Sequence, residues 1–310
     1  MEFGRVPEKE LSRIDFTLPA DPADNTKVLK GTKHTKPLVY FGGTRWACNS
    51  WVGSIYPKGA KDATFLDHYV QFFNSIELNA THYQVYGPAV ISKWAARAIG
   101  KDFKFCPKVP QIISHYSNFN NVFDLTSSFL EGVLAFGENL GPIFLQISEK
   151  YAPDRRGQLF RYLESLPTDL QFFVEVRHEN WFADKVVYKE LTEVLRARNM
   201  GMVITDTPGR RDCTHMQLTV PKTFLRLVGN DKLPVDYARI DSWVKRLQYW
   251  IDNGLEETYV FLHMLNDVTC PELTAYMEDK LLTAAQLPLR QRNPQQPGQP
   301  AKGTQISFFD

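Results

Sequence analysis

From Leu38 onward, short apolar runs alternate with segments that have the spacing of amphipathic helices. Runs rich in aromatic and β-branched residues between turn residues predict strands, and apolar residues three and four positions apart predict helices. The helical pattern occurs at 62–73, 88–98, 122–137, 154–166, 184–198, 237–252 and 271–286. The strand pattern occurs eight times, in "LVYFGG" at 38, "SIELNATHY" at 75, "FKFCPK" at 103, "PIFLQIS" at 142, "QFFVEVR" at 171, "GMVITD" at 201, "TFLRLVG" at 223 and "TYVFLHM" at 258.

This alternation predicts an α/β fold in which most strands are followed by a helix; the link after the sixth strand, "TPGRRDCTHMQLTVP", has no helical pattern. Eight such units over about 250 residues favour a (β/α)8 TIM barrel. An open doubly wound sheet is less favoured, because no G-x-G-x-x-G follows the first strand. The predicted barrel spans 38–286, after an irregular N-terminal extension at 1–37 and before a flexible, Pro- and Gln-rich tail at 287–310.

Composition narrows the class of protein. The 36 basic and 35 acidic side chains nearly cancel, which argues against coating of nucleic acid or membrane through bulk charge. The four cysteines lie far apart without a C-x-x-C pair, so they predict reduced thiols rather than a zinc site or a disulfide framework. The chain has neither a signal-peptide pattern nor an apolar run of about 18 residues. These features predict a soluble cytoplasmic protein without a membrane partner.

Charged residues follow the fifth apolar run, in "FFVEVRHENWF" at 172. In a barrel strand, alternate side chains point toward the barrel axis and toward the helices. The alternation sends Val174 and Val176 to the helices and Glu175 and Arg177 to the axis, near the C-terminal strand end where TIM barrels carry their sites. The same alternation directs Glu77, Asn79, Thr81 and Tyr83 inward, and the other runs end close to Lys108, Gln146, Asp206, Arg226 and His263.

These polar residues predict a site for an anionic ligand. Permanent cations around a cleft would clamp a phosphate or carboxylate, and a carboxylate whose pKa is raised among apolar walls would act as an acid or base. The alternative is a structural ion-pair network at the rim of the barrel, because buried charges are normally paired. The candidate clamps are Lys108, Arg177 and Arg226, and the candidate acids or bases are Glu77, Glu175, Asp206 and His178.

Three aromatic residues near strand ends, Trp46, Tyr83 and Trp181, would offer flat faces on which a sugar or base stacks, although such residues also serve packing alone. No cofactor is predicted. A divalent metal held by the carboxylates and histidines is the weaker alternative. Against it, no tight ligand motif such as H-E-x-x-H is present, and the cations would compete for the same carboxylates.

Five motifs resemble, in order, those of the YecE-like family: "GGTRWACNSWVGSIYPKG", "FNSIELNATHYQ", "FKFCPKVPQIISH", "LGPIFLQIS" and "FVEVRHENWF". The resemblance spans about residues 38–285. It implies a TIM barrel and a domain of unknown function, and it implies no reaction. The eighth strand ends "FLHMLND", which departs from the family pattern, so the resemblance supports no role for His263. The motif residues of the family fall on Trp46, Glu77, Asn79, Thr81, Tyr83, Lys108, His115, Gln146, Glu175, Arg177, His178, Trp181, Asp206 and Arg226.

The chain ends in "TQISFFD", whose Gln305, Ile306, Phe308 and Phe309 resemble the pentapeptide that binds the bacterial sliding clamp. The same phenylalanines would otherwise fold back on the barrel. Two functions therefore stay open. The first is an enzyme, such as a hydrolase or lyase, or a ligand-binding protein. It would act on a phosphate or sugar phosphate, either free or part of nucleic acid, and would have a role in DNA repair. The second is a non-catalytic adaptor that the tail recruits to the clamp.

Overall fold

All eight predicted strands form in the protein, of which a computed structural model describes residues 3–292. Every pairing between them is parallel. The strands are β1 (Leu38–Gly42), β2 (Ser75–Leu78), β3 (Lys104–Pro107), β4 (Ile143–Gln146), β5 (Phe172–Glu175), β6 (Gly201–Asp206), β7 (Lys222–Val228) and β8 (Glu257–His263).

Each of the seven predicted helical segments contains an α-helix, and two further single-turn helices follow β2 and β5. The helix of the predicted segment 184–198 is capped at its N-terminus by Asp184, whose Oδ1 accepts hydrogen bonds from the N–H groups of Val186 and Val187. Within residues 3–292, no helix is both long enough and apolar enough to cross a lipid bilayer. The α-helices are α1 (Asp62–Phe72), α2 (Ala80–Tyr83), α3 (Pro88–Ala95), α4 (Phe123–Leu134), α5 (Arg156–Ser165), α6 (Asn180–Ala183), α7 (Lys185–Ala197), α8 (Leu233–Asp252) and α9 (Cys270–Ala284).

The strands do not form one closed sheet. One sheet has the order β1-β8-β7-β6-β5-β4, and β2 and β3 pair with each other in a second sheet. The sheets meet at isolated contacts: Glu77 N–H donates to Gly43 O at 3.1 Å, and a bridge joins Lys108 to Phe144. The predicted α/β fold around parallel strands is therefore confirmed, whereas a continuous closed ladder is not found within residues 3–292.

Side chains form hydrogen bonds with the backbone N–H and C=O groups that would otherwise pair β1 with β2. The amide of Asn74 accepts a hydrogen bond from Phe41 N–H at 2.7 Å and donates one to Val39 O at 2.8 Å, as a neighbouring strand would. The hydroxyl of Tyr69 donates to Ser75 O at 3.0 Å. Backbone groups at this junction are thus satisfied without strand pairing.

Proline limits the ladder between β3 and β4. Pro107 ends β3 and Pro142 precedes β4, and neither nitrogen can donate a hydrogen bond. Gly141 N–H still donates to Phe105 O at 2.7 Å. The two strands therefore lie side by side with only scattered hydrogen bonds between them.

The strands separate two apolar regions. In β4, Ile143 and Leu145 belong to the region between the strands and the helices, and Phe144 belongs to the region on the other face, as the alternation of strand side chains requires. We call the second region the aromatic layer. It consists of the buried residues Tyr40, Cys106, Phe144, Phe173, Val203, Val220, Phe224, Tyr259 and Phe261.

The first residues of the N-terminal segment, which is irregular in sequence, pack against the C-terminal end of β6. Gly4 O accepts a hydrogen bond from Thr207 Oγ1 at 3.0 Å, just beyond β6. Gly4 has a φ of +68°, and a Cβ there would lie 2.4 Å from Thr207 Cγ2, so this contact requires glycine. Further along, the buried Asn25 donates to Met216 O at 2.7 Å. Specific hydrogen bonds therefore hold a segment whose sequence has no regular pattern.

Candidate functional site

A layer of buried polar side chains lies directly beyond the aromatic layer, because side chains two residues apart on a strand share one face. We call it the polar layer. Glu77 enters it from β2, and Arg177 follows β5. Its other members each follow a residue of the aromatic layer by two positions: Lys108 after Cys106, Gln146 after Phe144, Glu175 after Phe173, Thr205 after Val203, Arg226 after Phe224 and His263 after Phe261.

Arg226 is the centre of the polar layer. Its Nε and Nη2 donate to Glu77 Oε2 and Oε1 at 2.8 and 2.9 Å, and its Nη1 donates to Glu175 Oε2 at 2.6 Å. Its Cζ lies 5.5 Å from the ring centroid of Phe144 in the aromatic layer. The rigid fork of one guanidinium thereby joins β2, β5 and β7, which are far apart in the sequence.

Glu77 is held as an ionised carboxylate. Besides Arg226, Asn79 Nδ2 donates to its Oε1 at 2.8 Å, and His263 Nε2 lies 2.8 Å from its Oε2. Burial alone would raise the pKa of Glu77, but the charge of Arg226 and the contact with His263 outweigh burial and hold that pKa well below its usual range. Burial lowers the pKa of His263, so a neutral imidazole donates its Nε2 proton to Glu77.

Glu175 is also held as an ionised carboxylate by hydrogen-bond donors. Arg177 Nε and Thr205 Oγ1 donate to its Oε1 at 2.7 and 3.0 Å, in addition to Arg226 at Oε2. Burial opposes ionisation, but the charges of the two arginines lower the pKa of Glu175 to about 2. The sequence predicted carboxylates with raised pKa values, and this direction is wrong for both Glu77 and Glu175. Both serve as counterions of buried arginines.

Lys108 differs from the two arginines of the layer. Its Nζ donates to Gln146 Oε1, a neutral acceptor, at 2.8 Å and lies 5.8 Å from the Phe144 ring centroid. Within residues 3–292, no carboxylate lies within 4.0 Å of its Nζ. Burial, and then the charge of Arg226, lower the pKa of Lys108 to about 7. Lys108 is thus a buried amine without an ion pair in the described part of the chain.

Two histidines face the charge of Lys108. The rings of His82 and His115 lie 5.1 Å apart, edge to face. His82 Nδ1 lies 2.8 Å from Val109 O, and His115 Nδ1 lies 2.8 Å from Ser114 Oγ. Burial, followed by Lys108, lowers the pKa of His82 to about 3 and that of His115 to about 4. Both imidazoles are therefore neutral near pH 7.

The alternation predicted through "SIELNATHY" stops at Leu78, because the chain then turns into α2. Thr81 is buried, but its hydroxyl donates to Lys108 O at 2.8 Å and supports the backbone of β3. Tyr83 is 72% exposed. The prediction that Tyr83 points inward is wrong, and Thr81 supports the site through the backbone rather than from a strand.

Asp206 lies outside the polar layer. It is one residue beyond Thr205 on β6, so it lies on the opposite face of the strand. Its Oδ1 accepts a hydrogen bond from Arg239 Nη2 at 2.9 Å, and its Oδ2 accepts one from Trp243 Nε1 at 2.6 Å, both from α8. The prediction that Asp206 converges with the other two carboxylates is wrong, and Thr205 takes its place.

Three other residues predicted for the site, Trp181, Trp46 and His178, lie outside the polar layer. Trp181 is fully buried and donates its Nε1 proton to Tyr151 O at 2.9 Å, so packing accounts for it. Trp46 packs edge-on against Trp94, with ring centroids 5.3 Å apart. His178 lines an open cleft of about 760 Å³ beside α6. The structure thus brings together Glu77, Asn79, Lys108, Gln146, Glu175, Arg177 and Arg226 of the predicted set, with His115 near Lys108.

The N-terminal segment covers one side of the polar layer. The ring centroid of Phe3 lies 4.2 Å from Arg177 Cζ and 5.1 Å from Arg210 Cζ. The irregular sequence around Phe3 gave no signal for this contact. By contrast, Thr205 could have been found by extending the two-residue alternation along β6. His263, which the sequence placed near the end of the eighth strand, lies in the polar layer.

Two predictions concern features beyond the polar layer. Within residues 3–292, no group of three or more His, Cys, Asp or Glu side chains is arranged to hold a metal ion. The clamp-binding residues predicted in the tail, Gln305, Ile306, Phe308 and Phe309, lie outside the described residues.

Solved structures of related proteins share this fold. A DUF72 family protein from Enterococcus faecalis V583 has a TM-score of 0.62 at 14% sequence identity, covering 84% of this chain and 99% of that chain. A DUF72 family protein from Thermotoga maritima MSB8 has a TM-score of 0.58 at 21% identity, covering 80% of this chain and 99% of that chain. At these identities the similarity extends to the fold alone.

Sequence comparison gives the family. The UPF0759 proteins YecE of Escherichia coli K12 and O157:H7 are each 28% identical over 254 residues, which cover 76% of this chain and 90% of theirs. The family described as "Protein of unknown function DUF72" matches residues 40–299, so Phe3 and the rest of the N-terminal segment precede the matched region. The chain therefore belongs to the DUF72 family of proteins of unknown function, as its YecE-like motifs predicted.

Proposed function

We propose that the polar layer binds a small compound that carries a phosphate or carboxylate group, with Lys108 as its main cation. The observation that carries this proposal is the difference between the cations. Arg226 is paired with two carboxylates, whereas Lys108 donates to the neutral amide of Gln146. An anion next to Lys108 would gain a charge-assisted hydrogen bond that the described residues do not already supply.

The burial of the layer favours a small ligand over a polynucleotide. Lys108, Gln146 and His263 are only 6%, 7% and 7% exposed, and Phe3 lies over Arg177. A phosphodiester backbone running across an open surface would not reach Lys108. A small sugar phosphate or carboxylic acid that enters the layer would reach it.

A purely structural role accounts for Arg226 and its two carboxylates, because buried charges are stable when they are paired. It does not account for Lys108. A buried lysine that loses its proton near pH 7 is costly for the folded state, and an apolar side chain would fill the same space without that cost. This cost supports a functional role for Lys108.

Calorimetric titration with inorganic phosphate and ribose 5-phosphate tests the proposal. We expect the wild-type protein to bind one or both, and Lys108→Met to bind about ten-fold more weakly or not at all, because the cation is removed. Lys104→Met is the matched control. Lys104 begins the same strand, and its Nζ donates to Glu138 O at the opposite end of β3, at 2.6 Å.

Equal affinities of the wild type and Lys108→Met for both compounds would overturn the proposal, as would the absence of binding of phosphate, sugar phosphate and small carboxylates to the wild type. Circular dichroism of each variant shows whether it is folded. Lys108→Arg, which keeps the positive charge, should retain part of the affinity.

A further inference from the structure

The Lys108 amine is fixed in position by the backbone around it. Lys108 N–H donates to Leu78 O at 3.2 Å and to Thr81 Oγ1 at 3.0 Å, and Thr81 Oγ1 donates to Lys108 O at 2.8 Å. The Nζ donates to Gln146 Oε1 at 2.8 Å. Contacts at both ends of the side chain thus hold the amine at the end of β3, where its neutral nitrogen would have a lone pair available for attack on a bound compound.

The surroundings of Lys108 favour the neutral amine. Burial and the charge of Arg226 lower the pKa of Lys108 to about 7, so about half of the molecules carry a neutral amine at that pH. An ordinary exposed lysine, with a pKa near 10.4, is neutral in less than about one molecule in a thousand. A neutral amine is a nucleophile, whereas the protonated form is not.

Two neutral histidines near Lys108 offer hydrogen-bond acceptors to its amine. The pKa values of His82 and His115, about 3 and about 4, leave a free ring nitrogen on each near pH 7. The His82 Nδ1 position 2.8 Å from Val109 O indicates that Nδ1 carries the proton, so Nε2 is the acceptor. A neutral amine beside an uncharged hydrogen-bond acceptor is suited to attack on a carbonyl carbon.

We propose that Lys108 forms an imine with a small aldehyde or ketone that also carries a phosphate or carboxylate group. This inference rests on the proposed function, because the protonated form of Lys108 attracts the anionic group of the compound and the neutral form, which is also populated near pH 7, then attacks the carbonyl carbon beside it. The nitrogen lone pair forms a bond to the carbonyl carbon, the π electrons of the C=O bond move to the oxygen, and one of the two amine hydrogens passes to that oxygen as a proton. The resulting carbinolamine then loses its hydroxyl group together with the remaining amine hydrogen as water, which leaves a C=N bond.

Reductive trapping tests this chemistry. The full-length protein is incubated with glyceraldehyde 3-phosphate or pyruvate and sodium cyanoborohydride, which reduces C=N to a stable secondary amine, and adducts are located by peptide mass spectrometry. We expect an adduct on Lys108 that forms about ten-fold faster than one on Lys104 and faster with glyceraldehyde 3-phosphate than with glyceraldehyde. The rate should rise between about pH 6 and about pH 8, through the pKa of about 7.

Lys108→Arg is the variant that separates binding from chemistry, because it keeps the cation and cannot form an imine. It should bind phosphate and form no adduct at position 108. Wild-type adducts spread evenly over the surface lysines, with Lys108 modified no faster than Lys104, would overturn the imine proposal even if phosphate binds. Conversely, selective modification of Lys108 at equal rates by glyceraldehyde and its phosphate, without phosphate binding, would remove the proposed function and leave the amine chemistry standing.

Discussion

The aromatic layer and the polar layer lie on the same strands, two residues apart, but different forces hold them together. In the aromatic layer, the ring centroid of Phe224 lies 4.9 Å from that of Phe261 and 5.1 Å from that of Phe144. These contacts depend on burial and close packing, which have little directional preference. In the polar layer, the contacts of Arg226 depend on the placement of each donor and acceptor. A shift of two residues along a strand therefore changes which substitutions the protein tolerates.

The polar layer also depends on the aromatic layer beneath it. Arg226 Cζ and Lys108 Nζ lie 5.5 and 5.8 Å from the ring centroid of Phe144. The rings exclude water from that side of the charges. The lower local polarity strengthens the attraction between Arg226 and its carboxylates, and it raises the cost of a proton on Lys108. The low pKa of Lys108 is thus a property of both layers together.

Arg226→Met should have the largest effect on stability. The substitution fills a similar volume but leaves Glu77 and Glu175 buried without the cation that both contact. We expect the free energy of unfolding to fall by about 4–5 kcal/mol. Urea unfolding followed by circular dichroism measures it.

Two further variants sharpen this result. Arg226→Lys should recover less than half of the loss, because one ammonium cannot contact both carboxylates as the guanidinium fork does. Arg156→Met removes the surface pair with Glu190, in which both side chains are more than a third exposed, and should cost less than about 1 kcal/mol. A loss for Arg226→Met no larger than that for Arg156→Met would contradict a stabilising polar layer.

The aromatic layer should respond to volume rather than to chemistry. Phe224→Ala leaves a cavity among neighbouring rings and should lower the free energy of unfolding by about 3 kcal/mol. Phe224→Leu keeps most of the apolar volume and should cost only about 1 kcal/mol. The same urea experiment compares them. If Phe224→Leu proved as costly as Phe224→Ala, ring geometry would matter in the aromatic layer as donor geometry does in the polar layer.

Much of this arrangement could be predicted from the sequence, because strand alternation is a local property. Two-residue spacing alone places Glu175 and Arg177 on the same side of β5, and the two side chains form an ion pair. The same rule failed where its premise failed. Tyr83 lies beyond the end of β2, in α2, and Asp206 is one residue out of phase with the inward face of β6.

The rest required the tertiary structure. The pairing of Arg226 with both Glu77 and Glu175 depends on how three strands lie next to each other, so the direction of both carboxylate pKa shifts could not be read from the chain. The amide of Asn74 takes the place of a strand neighbour of β1, which interrupts the ladder that the eight-strand count predicted. The contact of Phe3 with the polar layer has no periodic signal at all.

Lys108→Met should change the pH dependence of stability. The pKa of Lys108 is about 7 in the folded protein, below its usual value of 10.5, so between these pH values the unfolded chain binds more protons. Wild-type stability therefore gains from Lys108 as the pH rises from about 7 toward 10.5, and Lys108→Met lacks this gain. We expect the free energy of unfolding of Lys108→Met, relative to the wild type, to fall by on the order of 2 kcal/mol between about pH 6 and about pH 9.

Urea unfolding at several pH values measures this difference. Lys104→Met, at the other end of β3, should show a difference from the wild type that stays constant over the same range. A constant difference for Lys108→Met as well would mean that the Lys108 amine keeps its proton up to about pH 9. The environment of Lys108 would then resemble that of an exposed lysine, and the contrast between the layers would be weaker than the contacts indicate.

Phe3→Leu should have the smallest effect, and it tests whether the N-terminal segment belongs to the polar layer. The substitution keeps an apolar side chain but removes the aromatic face that lies 4.2 Å from Arg177 Cζ. The loss of this cation–π contact should lower the free energy of unfolding by about 1 kcal/mol. Phe123→Leu is the control, because Phe123 is 77% exposed and its replacement should change stability by less than about 0.5 kcal/mol. Equal effects of the two substitutions would mean that Phe3 does not stabilise the polar layer in solution.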